Sequence, residues 1–470
     1  VETKRSKRTT SAAVLLLFIV LSLVLTDPLA RHLADTVEDR QDALLNVWIT
    51  AWDGHALLAD PLHLFDANIF HPYPRTLAYS ELLLGNALLA LPVTAITGNP
   101  VRGYNLALLL SFVLSGWGTY LLVLKLTRSP GAGVVAGIVF AFSSYRLTNL
   151  AQAQLLTTEW LPFALLALHH LLRRPRLRHV TTFTLFFSLQ TLSSFYYGIL
   201  LALAAIGYWL FDIEYWIWSR NAPADHNGRT AIRNTKYLLL AACCLLLLIL
   251  PFALPYFQVQ RELGFERSLA DSEPFSASLR QYLMVPPGSV LYDGRLPSDD
   301  TPIAGGYPVD ALFPGAVALA LAAWGLVRGQ SHRRWFFFLL LLASFILSLG
   351  PRLYLAPGQP AGLDVTLPYA WLYKLVPGFK ALRAPARFDV LVTLSLAVLA
   401  GFGVASFKQQ AASSKRAPLL PAACCLLLVA ESLVWPAAHA APVPVGGEVP
   451  PVYRWLAAAG RDTRPTPILE

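Results

Sequence analysis

YSELLLGNALLALPVTAIT, residues 79–97, decides how the rest of the chain is oriented. If this apolar stretch crosses a membrane, every later loop changes side. The basic loops RRPRLRH (173–179) and RGQSHRR (328–334) would then face outward, against the tendency of Lys and Arg to stay on the cytoplasmic side. If it does not cross, the basic stretches 125–128, 173–178, 220–236, 328–334 and 408–416 all join the N-terminus in the cytoplasm. The second choice satisfies five loops with one assumption. The stretch is therefore expected to be a juxtamembrane helix on the outer leaflet, limited in length by Pro92, Gly98 and Pro100.

A membrane is required by composition. The 470 residues are 55% hydrophobic and 14% charged, with a mean hydropathy of +0.51, too apolar for an ordinary soluble fold. The formal charge of +9 would suit nucleic acid, but Lys and Arg sit in short loops between apolar runs, as membrane topology demands, so no nucleic-acid partner is expected. Lys4, Arg5, Lys7 and Arg8 precede an apolar run too long for a signal peptide and without a small-x-small cleavage site. It reads as an uncleaved first span. Cys243, Cys244, Cys424 and Cys425 lie inside apolar runs and cannot form an extracytoplasmic disulfide framework.

Spanning takes roughly 20 apolar residues per helix, which gives about eleven spans. The fold class is all-α, a polytopic transmembrane helix bundle. Spans are expected near 10–30, 102–125, 130–146, 157–172, 179–194, 196–213, 236–256, 309–327, 334–350, 387–407 and 417–435. Residues 1–435 form the membrane module. Its first outer loop covers 31–101 and holds juxtamembrane helices, and a long outer loop covers 257–308. Pro-rich residues 436–470 read as a linker into the start of a truncated extracytoplasmic domain. The bacterial plasma membrane, with the N-terminus inside and the tail outside, is the expected location.

The first outer loop carries ADTVEDRQDALLNVWITAWDGH, residues 34–55, where carboxylates crowd otherwise apolar sequence. On a helix starting near Glu38, Asp42, Asn46, Ile49 and Asp53 share one stripe while Leu45, Trp48 and Trp52 share another. The Trp stripe suits the headgroup layer, leaving the polar stripe to face a cavity above the membrane. Asp39 and Asp42 would equally suit the positive dipole end of that helix. Next comes FDANIFHPYPRTLAYSE, residues 65–81, a Pro-stiffened loop presenting His71, Arg75 and Glu81. His55, His63 and His71 lack a spacing that puts two metal ligands on one helix face, so no metal site is assigned.

Two further outward segments hold cations near the membrane. AFSSYRLTNLAQAQLLTTEW (141–160) contributes Tyr145, Arg146 and Glu159; LYKLVPGFKALRAPARFDV (372–390) contributes Lys374, Lys380, Arg383 and Arg387. Outward cations call for compensation, by a lipid-borne phosphate, by anionic membrane lipids generally, or by Asp364 and Asp389. The long loop, with its Asp299–Asp300 pair, has the length of a segment that closes over substrate. Gly-rich phosphate loops and the G-x-S-x-G and H-E-x-x-H motifs are absent.

DALLNVWITAWDGHALL (42–58), LFDANIFHPYPRTLAYSELLLG (64–85) and RAPARF (383–388) together resemble the C-type superfamily of integral-membrane glycosyltransferases. That group includes protein mannosyltransferases, lipid A aminoarabinose transferases and YfhO-like proteins. The architectural likeness spans most of the chain; the motif likeness is confined to the first 100 residues and to 383–388. The resemblance implies a polyprenyl-phosphate sugar donor and an extracytoplasmic acceptor. It further implies Asp42 as general base, with Asp39 and Asp53 as alternatives, and Arg383, Arg387 or Arg146 on the donor phosphate. Asn46, His71, Arg75, Glu81, Tyr145, Glu159 and Lys380 complete the expected substrate-binding set. Metal use varies in such families, so a divalent ion stays open and no other cofactor is implied. The sequence departs from the mannosyltransferase pattern in lacking an acidic residue beside Asp42; its nearest acidic pair is Glu38–Asp39. A lipid-linked saccharide flippase is the main rival, disfavoured by spans nearly free of charge. A non-catalytic scaffold would leave the polar first loop unexplained.

Overall fold

The computed structural model describes residues 4–218, 224–264, 267–298, 310–362, 365–376, 378–410, 419–435 and 440–462. Asp299, Asp300 and Asp364 lie outside the described residues, as do parts of the expected basic stretches 220–236 and 408–416. What is described is mostly helical, with two small two-stranded sheets.

Helix α1 (Lys4–Leu25) leads to the short strand β1 (Thr36–Val37), then α2 (Asp42–Ala59), α3 (Leu84–Thr97) and α4 (Pro100–Thr127). Their ends follow from local chemistry. Gly98, at φ +67°, closes α3. Asn99 then caps α4, its side chain accepting from the Arg102 N–H at 3.0 Å with Pro100 in the first turn. Ser129 and Pro130 repeat the device for α5 (Pro130–Ala141). At 14 residues, α3 is about 21 Å long, short of a bilayer core of about 30 Å. It packs against α2 and α4.

After α5 the chain breaks into two short helices, α6 (Ser144–Thr148) and α7 (Ala153–Leu156), before α8 (Trp160–Arg173), α9 (Leu177–Ser193), α10 (Phe195–Trp218) and α11 (Ala224–Leu263). Beyond the long loop come α12 (Ala316–Arg328), α13 (Arg333–Ser348), the hairpin β2 (Tyr354–Ala356) and β3 (Gln359–Pro360), and α14 (Pro368–Leu375). The helices α15 (Asp389–Gln410) and α16 (Leu419–Ser432), strand β4 (Ala441–Pro442) and α17 (Pro451–Asp462) complete the order. β1 and β4 pair antiparallel, Thr36 opposite Pro442.

Among the described residues, six helical stretches are long and apolar enough to cross a membrane: Pro100–Thr127, Pro130–Thr148, Ala153–Arg173, Phe195–Glu214, Thr235–Leu263 and Pro385–Phe407. The expected spans 10–30, 309–327 and 417–435 correspond to shorter apolar helices, Thr10–Leu25, Ala316–Arg328 and Pro421–Ser432. Those at 179–194 and 334–350 fall on α9 and α13, of 17 and 16 residues. One boundary needs correction: α11 continues through Pro251 and Pro255 to Leu263, so the loop expected from residue 257 starts only after it. α15 runs through the centre, packed on α5, α12 and α13. It crosses α12 at two glycines: a Cβ on Gly325 would sit 1.9 Å from the Leu399 carbonyl, and one on Gly403 2.3 Å from that of Leu321. Only glycine permits so close a crossing. α11 by contrast exposes Leu246, Leu247 and Leu248, an apolar surface suited to lipid.

Candidate functional site

Helix α2 places the three acids of the first loop in three environments. Asp39 Oδ1 accepts from the backbone N–H groups of Gln41 at 2.8 Å and Ala43 at 3.0 Å, holding the start of the helix. Asp42 is exposed on the first turn, where its Oδ2 accepts from Gln152 Nε2 at 2.7 Å. Asp53 is fully buried; its Oδ2 accepts from the Leu83 N–H at 3.2 Å, and its Oδ1 has no hydrogen-bond partner among the described residues. Burial pushes the Asp53 carboxyl up to about 8, the Leu83 N–H opposing the shift. Asp42 and Asp53 lie about 16 Å apart along the helix, so they do not act as a carboxylate pair. Asn46, buried between them, donates to the Ala151 carbonyl at 3.2 Å.

A second cluster forms where four segments meet. Glu81 Oε1 lies 3.0 Å from Arg387 Nη1, and Glu81 Oε2 accepts from Ser194 Oγ at 3.0 Å. The backbone on both sides of Glu81 is fixed by Tyr256 of α11, whose hydroxyl donates to the Ser80 carbonyl at 3.0 Å and accepts from the Leu82 N–H at 2.8 Å. The Arg387 guanidinium lies over the Tyr196 ring, 4.8 Å from its centroid, and the Tyr196 hydroxyl donates to the Ala384 carbonyl. Behind it, Tyr145 and Tyr197 bring their hydroxyls to 3.3 Å, and Tyr197 donates to the Leu155 carbonyl at 3.1 Å. Asn149 donates to Asp310 Oδ1 at 3.0 Å. Burial raises the Asp310 carboxyl, against the pull of that hydrogen bond and of the Arg387 charge.

The broken stretch 144–158 links the two clusters. Through Gln152 and Ala151 it holds Asp42 and Asn46; through Tyr145 it reaches Tyr197, a neighbour of Arg387. No protein-family model matches the chain, and no curated protein matches it.

The remaining expected residues are placed as follows. Arg146 is 1% exposed and turned inward, donating to Ser115 and Thr158 and, at 3.0 Å, to Ser111, with its guanidinium over Phe112. Glu159 is fully buried and electrostatically coupled to Arg146, and neither oxygen meets a donor of another residue among the described residues. Both therefore lie inside the protein rather than in an outward turn. His71 is exposed. Arg75 binds Glu262 through Nη2 at 2.6 and 2.7 Å, and its N–H is held by Asp66 Oδ1 at 2.8 Å. Lys380 and Arg383 are exposed and lie over Tyr373 and Phe275. Asp389 is buried and accepts from Thr393. No group of three or more His, Cys, Asp or Glu residues that could hold a metal occurs among the described residues.

The sequence reading did not single out Ser194, Tyr196, Tyr197 or Asp310. SSFYY, residues 193–197, is a polar interruption between two apolar runs, and that was the available signal. Asp310 was absorbed into a span drawn from 309, whereas α12 begins at Ala316.

Proposed function

We propose that this chain is an integral-membrane glycosyltransferase of the C type. In this reading it moves a sugar from a polyprenyl-phosphate donor to an extracytoplasmic acceptor. Support comes from the contact of one first-loop acid with RAPARF, Arg387 lying 3.0 Å from Glu81, and from the stretch 144–158, whose Tyr145 neighbours Tyr197 and whose Gln152 holds the exposed Asp42. Of the three acids considered as base, Asp42 alone is exposed; Asp39 is engaged with the helix start, and Asp53 is buried and protonated at neutral pH.

The proposed step is a direct displacement. The Asp42 carboxylate takes the proton of an acceptor hydroxyl or amine, and the freed lone pair attacks the anomeric carbon. The bond from that carbon to the phosphate oxygen breaks, and polyprenyl phosphate leaves with the electron pair. Arg387 has N–H donors beyond the one used by Glu81 and would stabilise the departing charge. One base and no covalent intermediate imply inversion at the anomeric carbon. The proposed location is a bacterial inner membrane with the basic loops and the N-terminus inside and the tail outside.

A second reading, a lipid-linked saccharide flippase, draws on a specific observation. Arg146, Glu159 and Asp389 are buried within apolar helical stretches, and α5 to α8 are interrupted. Spans free of charge, the sequence argument against a transporter, do not describe these helices. One experiment separates the two. Purified protein in nanodiscs is given radiolabelled polyprenyl-phosphate sugars and candidate acceptors, and labelled product and free polyprenyl phosphate are measured. Transfer by wild type and its loss in Asp42→Asn are expected. Intact donor moved between leaflets with no bond change would replace the enzyme reading by the transporter.

A further inference from the structure

The opposite end of α10 holds a basic cavity that plays no part in the transfer chemistry. Asp212 lies about 24 Å along the helix from Tyr196, close to the thickness of a bilayer core. The cavity there, of about 150 Å³, is lined by Arg173, Phe211, Asp212, Ser331, His332 and Arg333. Three helices contribute: Arg173 ends α8, Asp212 belongs to α10, and Arg333 starts α13.

Among the described residues its charges do not balance. Asp212 Oδ1 is shared by Arg333 Nη2 at 2.8 Å and Arg173 Nη2 at 3.4 Å, so two guanidinium groups face one carboxylate. The arrangement is rigid on one side and open on the other. Arg333 is largely buried and rests over the Tyr208 ring at 5.0 Å, while the Phe211 and His332 rings stack at 5.0 Å to form a wall. Arg173 is half exposed and forms the rim. Ser331 also lines the cavity, and its Oγ accepts from the Arg333 N–H at 3.3 Å. Arg174 and Arg176 in the next loop and Arg178 in the first turn of α9 add to the positive field.

We propose that this cavity is a phosphate-binding site. Two guanidinium forks held by a shared carboxylate, lining one cavity with a serine hydroxyl, supply N–H and O–H donors of the kind that phosphate oxygens accept. The space is roughly ten times that needed by one water, enough for a phosphate group and its hydration. A bias of basic loops toward one side of a membrane needs neither a cavity nor a carboxylate gripping two arginines. The anion is a phosphate monoester or diester, free or borne by a lipid headgroup in the adjoining leaflet.

The test uses the full chain in phosphatidylcholine nanodiscs. Inorganic phosphate is titrated calorimetrically; in a parallel arm, discs containing phosphatidylglycerol are examined by native mass spectrometry for retained lipid. Saturable phosphate binding in the first arm identifies a free anion. Retention of phosphatidylglycerol without phosphate binding identifies the lipid. In either case Arg173→Ala, which leaves Arg333 on Tyr208, is expected to weaken binding about 10- to 100-fold. Arg173→Lys, which keeps charge but not the fork, is expected to fall between the two. Absence of binding in both arms, or binding indifferent to Arg173→Ala in a variant that keeps the wild-type unfolding temperature, overturns the proposal.

Discussion

At its Tyr196 end α10 adjoins a carboxylate and a guanidinium in one-to-one contact, whereas at its Asp212 end one carboxylate serves two guanidinium groups. The same helix thus joins a region where charge is cancelled to one where positive charge is left over. At the first end the pair is surrounded by tyrosine hydroxyls and backbone carbonyls, which orient groups without adding charge. In the proposed transfer, reacting groups would be held there in a fixed, low-charge setting. At the second end the surplus draws in anions and discourages passage of that end across a membrane.

Changes at the reacting end should reveal that contrast, beginning with the largest. Asp42→Asn removes a proton acceptor without altering shape, and transfer should fall on the order of 10²- to 10⁴-fold in the radiolabel assay. An unchanged rate would take Asp42 out of the chemistry and move attention to the buried acids. Asp53→Asn tests the reverse property. Folded, the Asp53 carboxyl keeps its proton up to about pH 8, but once unfolded it ionises near 3.8. Wild-type stability should therefore decline from about pH 4 to pH 8, by about 1.4 kcal/mol per pH unit at most. Unfolding temperatures at pH 5 and pH 8 should diverge in wild type and lie closer together in the Asn variant.

Arg387→Ala leaves Glu81 with Ser194 as its partner among the described residues, and a stability loss of about 2 kcal/mol is expected. Glu81→Gln combined with it should recover part of that loss; no recovery in the double-mutant cycle would mean that the pair is not energetically coupled. The smallest effect belongs to Arg75→Ala. Its partner Glu262 is exposed, and a change under about 1 kcal/mol in thermal unfolding is expected.

Helices with strong punctuation were legible in the sequence. The span drawn at 102–125 is α4, set by Asn99 and Pro100; that at 196–213 falls within α10. Less legible were ends where an apolar ruler stops but hydrogen bonding continues. Gln258, Gln260, Arg261 and Glu262 look like loop, yet extend α11 because a helix may leave the apolar layer without losing its backbone bonds. The interior position of Arg146 had a visible sign in Ser111, Ser115 and Thr119, spaced at i, i+4 and i+8 on α4; the first two hold its guanidinium. The meeting of Glu81 with Arg387, 306 residues apart in sequence, follows from the packing of helices and from no local pattern.

The pairing of β1 with β4 also bears on the order in which the molecule is made. Arg40 donates to the Pro442 carbonyl at 2.7 Å across 402 residues of chain, just ahead of the helix that carries Asp42. At roughly 5–20 residues per second, the ribosome delivers Pro442 about 20 to 80 s after Arg40. For that interval the first loop is out of the ribosome and lacks its clasp, so this contact beside the carboxylates forms only after some 402 further residues have been made.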